Sequence, residues 1–245
     1  MKLLSRKKYL GILLCVVALC GVGSLVMYLT DVENPLQPAP SRERFPVAGI
    51  DISAHNGDSI DFEAVRADSV EFVLIKATEG ADFKDRNFLR NLREARRAGL
   101  KVGAYHFYRF DRSGYTQALN FLNSVRGREL DLPLVIDIEE WTNPKEYQTG
   151  GILKNLDRMI SHLTARGYRV MLYTNKDGYE RFIRGRFDSY PVWISSFTEP
   201  DEDIEWDLWQ HSHRGSVDGV DSKVDLNRFK GSYSEWEEWL GTVAQ

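Results

Sequence analysis

Along the chain, short apolar runs alternate with stretches in which apolar residues recur every three or four positions. The first pattern predicts strands buried on both faces, and the second predicts amphipathic helices. VAGIDI (47–52), EFVLIKA (71–77), LKVGAYHFY (100–108), LPLVIDIE (132–139) and YRVMLYT (168–174) read as strands. Helices are expected between them over 61–68, 85–98, 113–125 and 152–165, with Gly99 and Gly167 as stops. After residue 174 helical spacing fades, and PVWIS (191–195), DLWQHS (207–212) and the stretch 224–229 read as three more strands. The fold class is α/β: an irregular TIM-like (β/α) barrel of five βα units plus three further strands. A doubly wound open sheet is the alternative.

Ahead of the barrel, the run from Tyr9 to Thr30 holds no charged residue. About 20 apolar residues suffice to cross a bilayer as a helix. Lys2, Arg6, Lys7 and Lys8 precede the run, while Asp31 and Glu33 follow it. The positive-inside rule therefore places residues 1–8 in the cytoplasm and makes residues 9–30 a transmembrane signal anchor. A cleaved signal peptide, releasing a secreted form, is the competing reading. Pro35, Pro38, Pro40 and Pro46 make residues 31–46 a semi-extended linker. Residues 47–245 are then one folded extracytoplasmic domain, expected to be a monomer.

Composition narrows the chemistry. The chain carries a net charge of −4, and its first 30 residues carry +4, leaving −8 for the rest. No nucleic-acid partner is expected of so acidic a domain. Cys15 and Cys20 both lie in the apolar run, so the folded domain has neither a disulfide nor a Cys nucleophile. No G-x-S-x-G or H-E-x-x-H occurs. His211 and His213 form H-x-H, which serves a metal only if a carboxylate joins them. No metal or cofactor is expected.

In parallel α/β folds functional groups collect at the C-terminal ends of strands. Such ends hold the acids Asp51, Asp137, Glu139 and Asp225. They also hold Lys76, Glu79, Tyr105, Tyr108, Tyr173, Asn175, Trp193, Trp209 and Gln210 as candidate substrate contacts. Asp137 and Glu139, at i and i+2, project from one face of a strand, with backbones roughly 6.6 Å apart. Two carboxyls that close cannot both ionise easily, so one becomes an acid near neutral pH. A protonated carboxyl beside a carboxylate suits glycosidic-bond cleavage. A solvated strand end or a pair of metal ligands fits the same two residues. The aromatic residues at the same strand ends offer flat faces to sugar rings.

Seven motifs appear in order: GIDISAHNG (49–57), FVLIKATEG (72–80), GAYHFY (103–108), LVIDIE (134–139), LYTN (172–175), LWQHS (208–212) and VDLNRF (224–229). On these the chain resembles the glycoside hydrolase family 25 lysozymes, the Chalaropsis-type N-acetylmuramidases, over roughly residues 47–229. The resemblance implies an irregular (β/α) barrel that cleaves the β-1,4 bond between N-acetylmuramic acid and N-acetylglucosamine in peptidoglycan glycan strands. It implies Glu139 as general acid/base and Asp137 as its partner at the substrate acetamido group or anomeric carbon. Asp51 and Asp225 would be the other two acids of the pocket. These residues serve a covalent and an acetamido-assisted route alike. Before the final motif the family pattern often has a Gly where Asp221 or Ser222 stands, a departure that bears on the shape of the last loop. Two other functions stay open: a catalytically silent peptidoglycan-binding module, and a glycosidase on another N-acetylated glycan such as chitin.

Overall fold

A computed structural model describes residues 39–243. The anchor expected at 9–30 lies outside the described residues. Among the described residues, no helix is long and apolar enough to cross a membrane.

Eight strands close on themselves: β1 (Ala48–Ile52), β2 (Val70–Glu79), β4 (Lys101–Phe107), β5 (Leu134–Asp137), β6 (Val170–Asn175), β7 (Val192–Ser195), β8 (Leu208–Gly215) and β9 (Val224–Phe229). The two-residue β3 (Phe83–Lys84) is a hairpin on β2 outside that ring. Neighbours run parallel from β1 round to β8. Then β9 lies antiparallel to both β8 and β1 and completes the barrel. Closure removes the open-sheet alternative.

Four helices cover the outside: α1 (Phe62–Ala67), α2 (Phe88–Arg97), α3 (Gly114–Val125) and α4 (Thr149–Thr164). After β6 there is only a short helical turn, Lys176–Gly178, running into a π-helical turn, Tyr179–Ile183. The fading helical spacing in the sequence has this cause. One expectation is corrected: β5 ends at Asp137, so Glu139 lies beyond the strand instead of within it.

The barrel separates two hydrophobic cores. Outward strand residues such as Ile50, Val73, Ile75 and Val102 meet Phe88, Leu92, Phe121 and Ile160 of the helices. Inward residues, including Val47, Phe72, Leu74, Val135, Met171 and Trp193, fill the interior. Large rings inside a small barrel need gaps on facing strands. A Cβ on Gly49 would fall within the Phe72 ring, and one on Gly103 would come 2.6 Å from Leu74 Cδ2.

A fifth helix, α5 (Tyr233–Val243), closes the floor. Its Trp236 ring lies 5.2 Å from Phe72 and 5.1 Å from Phe229. Hydrophobic patterning does not announce this helix, although S-x-x-E at 232–235 is a capping-box signature. Ser232 N donates to Glu235 Oε2 at 2.7 Å, and Glu235 N donates to Ser232 Oγ at 3.3 Å.

Replacing Gly49 with Ala overpacks the interior and should destabilise the fold by about 1–3 kcal/mol, read as a lower denaturant midpoint. Adding Phe72→Leu should recover part of the loss, because the ring is what the new methyl meets.

Candidate active site

The barrel interior is graded. Its lower layers are apolar, and the layer at the C-terminal strand ends carries Asp51, Lys76, Tyr105, Asp137, Tyr173, Gln210, Asp225 and Asn227. The antiparallel turn of β9 matters here. It brings the start of that strand to the mouth, where Asp225 pairs across from Asp51.

Asp51 is buried, and its Oδ2 accepts from Gln210 Nε2 at 2.9 Å and from Asn227 Nδ2 at 2.8 Å. Both amides are held in that orientation from behind. Tyr173 OH donates to Gln210 Oε1 at 2.8 Å, and Trp193 Nε1 donates to Asn227 Oδ1 at 2.7 Å. Asp51 is also hydrogen-bonded to Asp225. Two carboxyls can share a hydrogen bond only if one keeps its proton. Burial, then the charge of Asp51 and the bond to it, push Asp225 up to about 9. Burial raises Asp51 too, while its bonds to Asn227, Gln210 and Asp225 oppose that rise. Asp51 is therefore the anion of the pair and Asp225 the acid.

Asp137 is buried, and its Oδ1 has no hydrogen-bond partner among the described residues. Burial first, and then the charge of Glu139, hold its pKa well above the usual range. Glu139 is less deeply placed; burial and then the charge of Asp51 raise it to about 7. Lys76 opposes both shifts. Its Nζ donates to Glu79 Oε2 at 2.8 Å and lies 5.1 Å from the Phe107 ring centre. The mouth thus combines a carboxyl that exchanges its proton near pH 7 with a fixed anion and a buried, unpartnered acceptor. That combination can protonate a leaving oxygen and stabilise positive charge opposite it.

The remaining candidates divide. Tyr105 and Tyr173 face the carboxylates, and burial followed by that negative field keeps both phenols protonated. Asn175 is exposed, and its Oδ1 accepts from Gly178 N at 2.8 Å, capping the helical turn after β6. Trp193 is buried 4.3 Å from Tyr173, so it forms a base beneath the carboxylate layer. Trp193 thereby leaves the set of direct substrate contacts, and two more residues leave with it. Gln210 points inward, so its neighbour Trp209 points outward; the Trp209 ring packs on Phe45 and Trp206, and its Nε1 donates to Ser196 O. Tyr108 is fully buried against Phe110 in the outer core and offers no face to a ligand. Asn227 belongs in the set, and its i+2 spacing from Asp225 on one strand was the signal for it.

The histidines have structural settings. His106 is buried between Thr78 Oγ1, 2.7 Å from Nδ1, and Gln117 Oε1, 3.1 Å from Nε2. Burial lowers it to about 4, as it does His211. Among the described residues, no three His, Cys, Asp or Glu side chains converge to hold a metal ion.

Asp225 gives the pocket a pH signature. It is pushed up to about 9 in the fold, against about 3.9 for an unperturbed aspartate. Between those values the native chain binds the extra proton, so stability falls as pH rises across that window. Asn at this position can donate to Asp51 as the protonated acid does. Asp225→Asn should therefore flatten the fall and be about 1 kcal/mol or more stabler at pH 9, measured by denaturant melts across pH.

Comparison with known proteins places this geometry. Residues 50–220 match Glycosyl hydrolases family 25. The chain is 31% identical over 209 residues to the protein YegX of Escherichia coli K12, covering 82% of this chain and 76% of that one. It is 34% identical over 204 residues to Lysozyme M1 of Streptomyces globisporus, covering 76% and 68%. A solved family 25 glycosyl hydrolase from Bacillus anthracis superposes with a TM-score of 0.75 at 32% identity, covering 84% of this chain and 98% of that one. The chain belongs to glycosyl hydrolase family 25.

Proposed function

We propose that the protein is a peptidoglycan hydrolase of the lysozyme class, an N-acetylmuramidase. It cleaves the β-1,4 bond between N-acetylmuramic acid and N-acetylglucosamine. The observation that carries this reading is the carboxyl cluster at the barrel mouth, in which Glu139 titrates at about 7. Family membership and the likeness to Lysozyme M1 support it.

Glu139, while protonated, gives its proton to the glycosidic oxygen as the carbon–oxygen bond breaks. It then takes a proton from the water that completes hydrolysis. Asp137 carries the unpartnered Oδ1, an acceptor placed for the N–H of a substrate acetamido group. Asp51, fixed by Gln210 and Asn227, supplies negative charge to the positive sugar carbon. Asp225 acts behind it, holding the proton that lets Asp51 stay ionised. Lys76 counters the rise of both Asp137 and Glu139.

The chain would work outside the cytoplasm, where peptidoglycan lies. Residues 1–8 would form a cytoplasmic end and 9–30 a membrane anchor; the spacer expected over 31–46 must end before Phe45, which is buried against Trp206 and Trp209, so the catalytic domain begins ahead of residue 47. A closed barrel leaves no free edge among the eight ring strands to recruit a second copy, which favours a monomer.

Purified peptidoglycan digested with the chain, then reduced, should show new muramic acid ends by mass spectrometry. Glu139→Gln should lower that release by about 10²–10⁴-fold. Glucosamine ends would mean a different bond, and wall binding without cleavage would mean a binding module. Activity should fall as pH rises through about 7, because the acid then loses its proton. Lys76 lowers the Glu139 pKa, so Lys76→Met should move that falling limb to higher pH in kcat/KM profiles.

A further inference from the structure

Directly beyond Glu139 the chain makes a tight turn, with Asn143 N donating to Glu140 O at 3.0 Å. Thr142 sits in it with φ 56°, a left-handed conformation that is strained for a β-branched residue. The turn is clamped from several sides. Asn143 Nδ2 donates to Glu139 O at 2.8 Å and to Tyr108 O at 2.9 Å, and its Oδ1 accepts from Phe110 N at 2.9 Å. Arg109 Nη1 donates to Thr142 Oγ1 at 3.2 Å, and Arg181 pairs with Glu140.

At the tip of this clamped turn stands Trp141, 72% exposed, against 56% for Phe197 and 50% for Phe83. Its indole has no ring or hydrogen-bond partner among the described residues. Leaving the largest apolar side chain in water, on a backbone held in a strained shape, gains the fold nothing by itself. A rigid aromatic face two residues from the proton donor has an evident use. Sugar rings present apolar faces that stack on indoles, and a pre-positioned ring loses little entropy on binding.

We propose that Trp141 is a glycan-stacking platform that forms a sugar-binding subsite of the groove beside Glu139. It binds one pyranose ring of the strand and so places the neighbouring glycosidic bond at the acid. This rests on the proposed muramidase function and adds a residue to it. The turn holds the platform fixed in relation to Glu139, because Asn143 bonds the Glu139 carbonyl and the turn together.

The test uses the full chain, with Trp141→Ala and Trp141→Phe, on peptide-free glycan strands whose cleavage is followed by reducing-end release. Trp141→Ala should raise KM roughly tenfold with kcat within about threefold, and Trp141→Phe should recover most of the loss. In the Glu139→Gln background, added strands should shift tryptophan emission to the blue, and the further change Trp141→Ala should remove most of that shift. Wild-type kinetics in Trp141→Ala would overturn the platform and leave the muramidase reading intact. So would a fall in kcat at unchanged KM, or an emission shift that survives Trp141→Ala. No cleavage by the wild-type chain would overturn the proposed function and the platform with it.

Discussion

Everything at the mouth of this barrel follows from the difficulty of placing four carboxyl groups in a small, largely dry space. Burial disfavours every charged form, and each anion disfavours the next. The structure resolves the conflict by giving each group a different environment. Asp51 receives two amide donors and a proton-bearing neighbour, so charge settles there. Asp225 keeps its proton, and Asp137 lacks donors at Oδ1. Glu139, less enclosed and within the field of Lys76, remains the group that can change state near neutral pH. Division of labour among like side chains is thus set by hydrogen bonds and depth.

That division depends on strand direction. With β9 parallel to its neighbours, Val224 and Asp225 would lie at the floor among Phe72 and Trp236. Reversal of the last strand brings Asp225 opposite Asp51, and Asn227 two residues on still reaches the same carboxylate. The interior below must then be rigid enough to hold these positions. Phe72, Trp193 and the floor helix supply bulk, and Gly49 and Gly103 supply the space that bulk requires.

The sequence alone made the strands, four outer helices, closed architecture and four acids legible, because buried parallel strands and amphipathic helices leave strong local patterns. What it hid was non-local. VDLNRF reads the same whether its strand runs up or down, so the antiparallel β9 had no signature. Trp209 and Gln210 are adjacent, and alternation guarantees that only one faces the site, but the phase is set by pairing with β7 and β9. Tyr108 follows the last residue of β4, and its backbone N–H bonds Asp137 O, which turns its side chain into the outer core. LPLVIDIE looks like one uninterrupted strand, yet the ladder stops at Asp137 and Glu139 departs from it.

The aromatic residues show why chemistry cannot be assigned by residue type. Trp193, Trp209 and Trp236 each have their polar or apolar demands met inside the protein: a carboxamide oxygen, a backbone carbonyl and two phenyl rings respectively. A side chain so satisfied has nothing left to offer a ligand, and its role is to hold others. Trp193 does so visibly, since its N–H fixes the Asn227 amide that in turn serves Asp51. Near the end of β5, three groups combine unmet capacity with a fixed position: the Oδ1 of Asp137, the exchangeable proton of Glu139, and the bare face of Trp141. All three lie within five consecutive residues at the end of β5, where the barrel ladder ends and the chain is held by side-chain hydrogen bonds instead. Such a segment can present polar and apolar groups together because neither the sheet nor the core claims them.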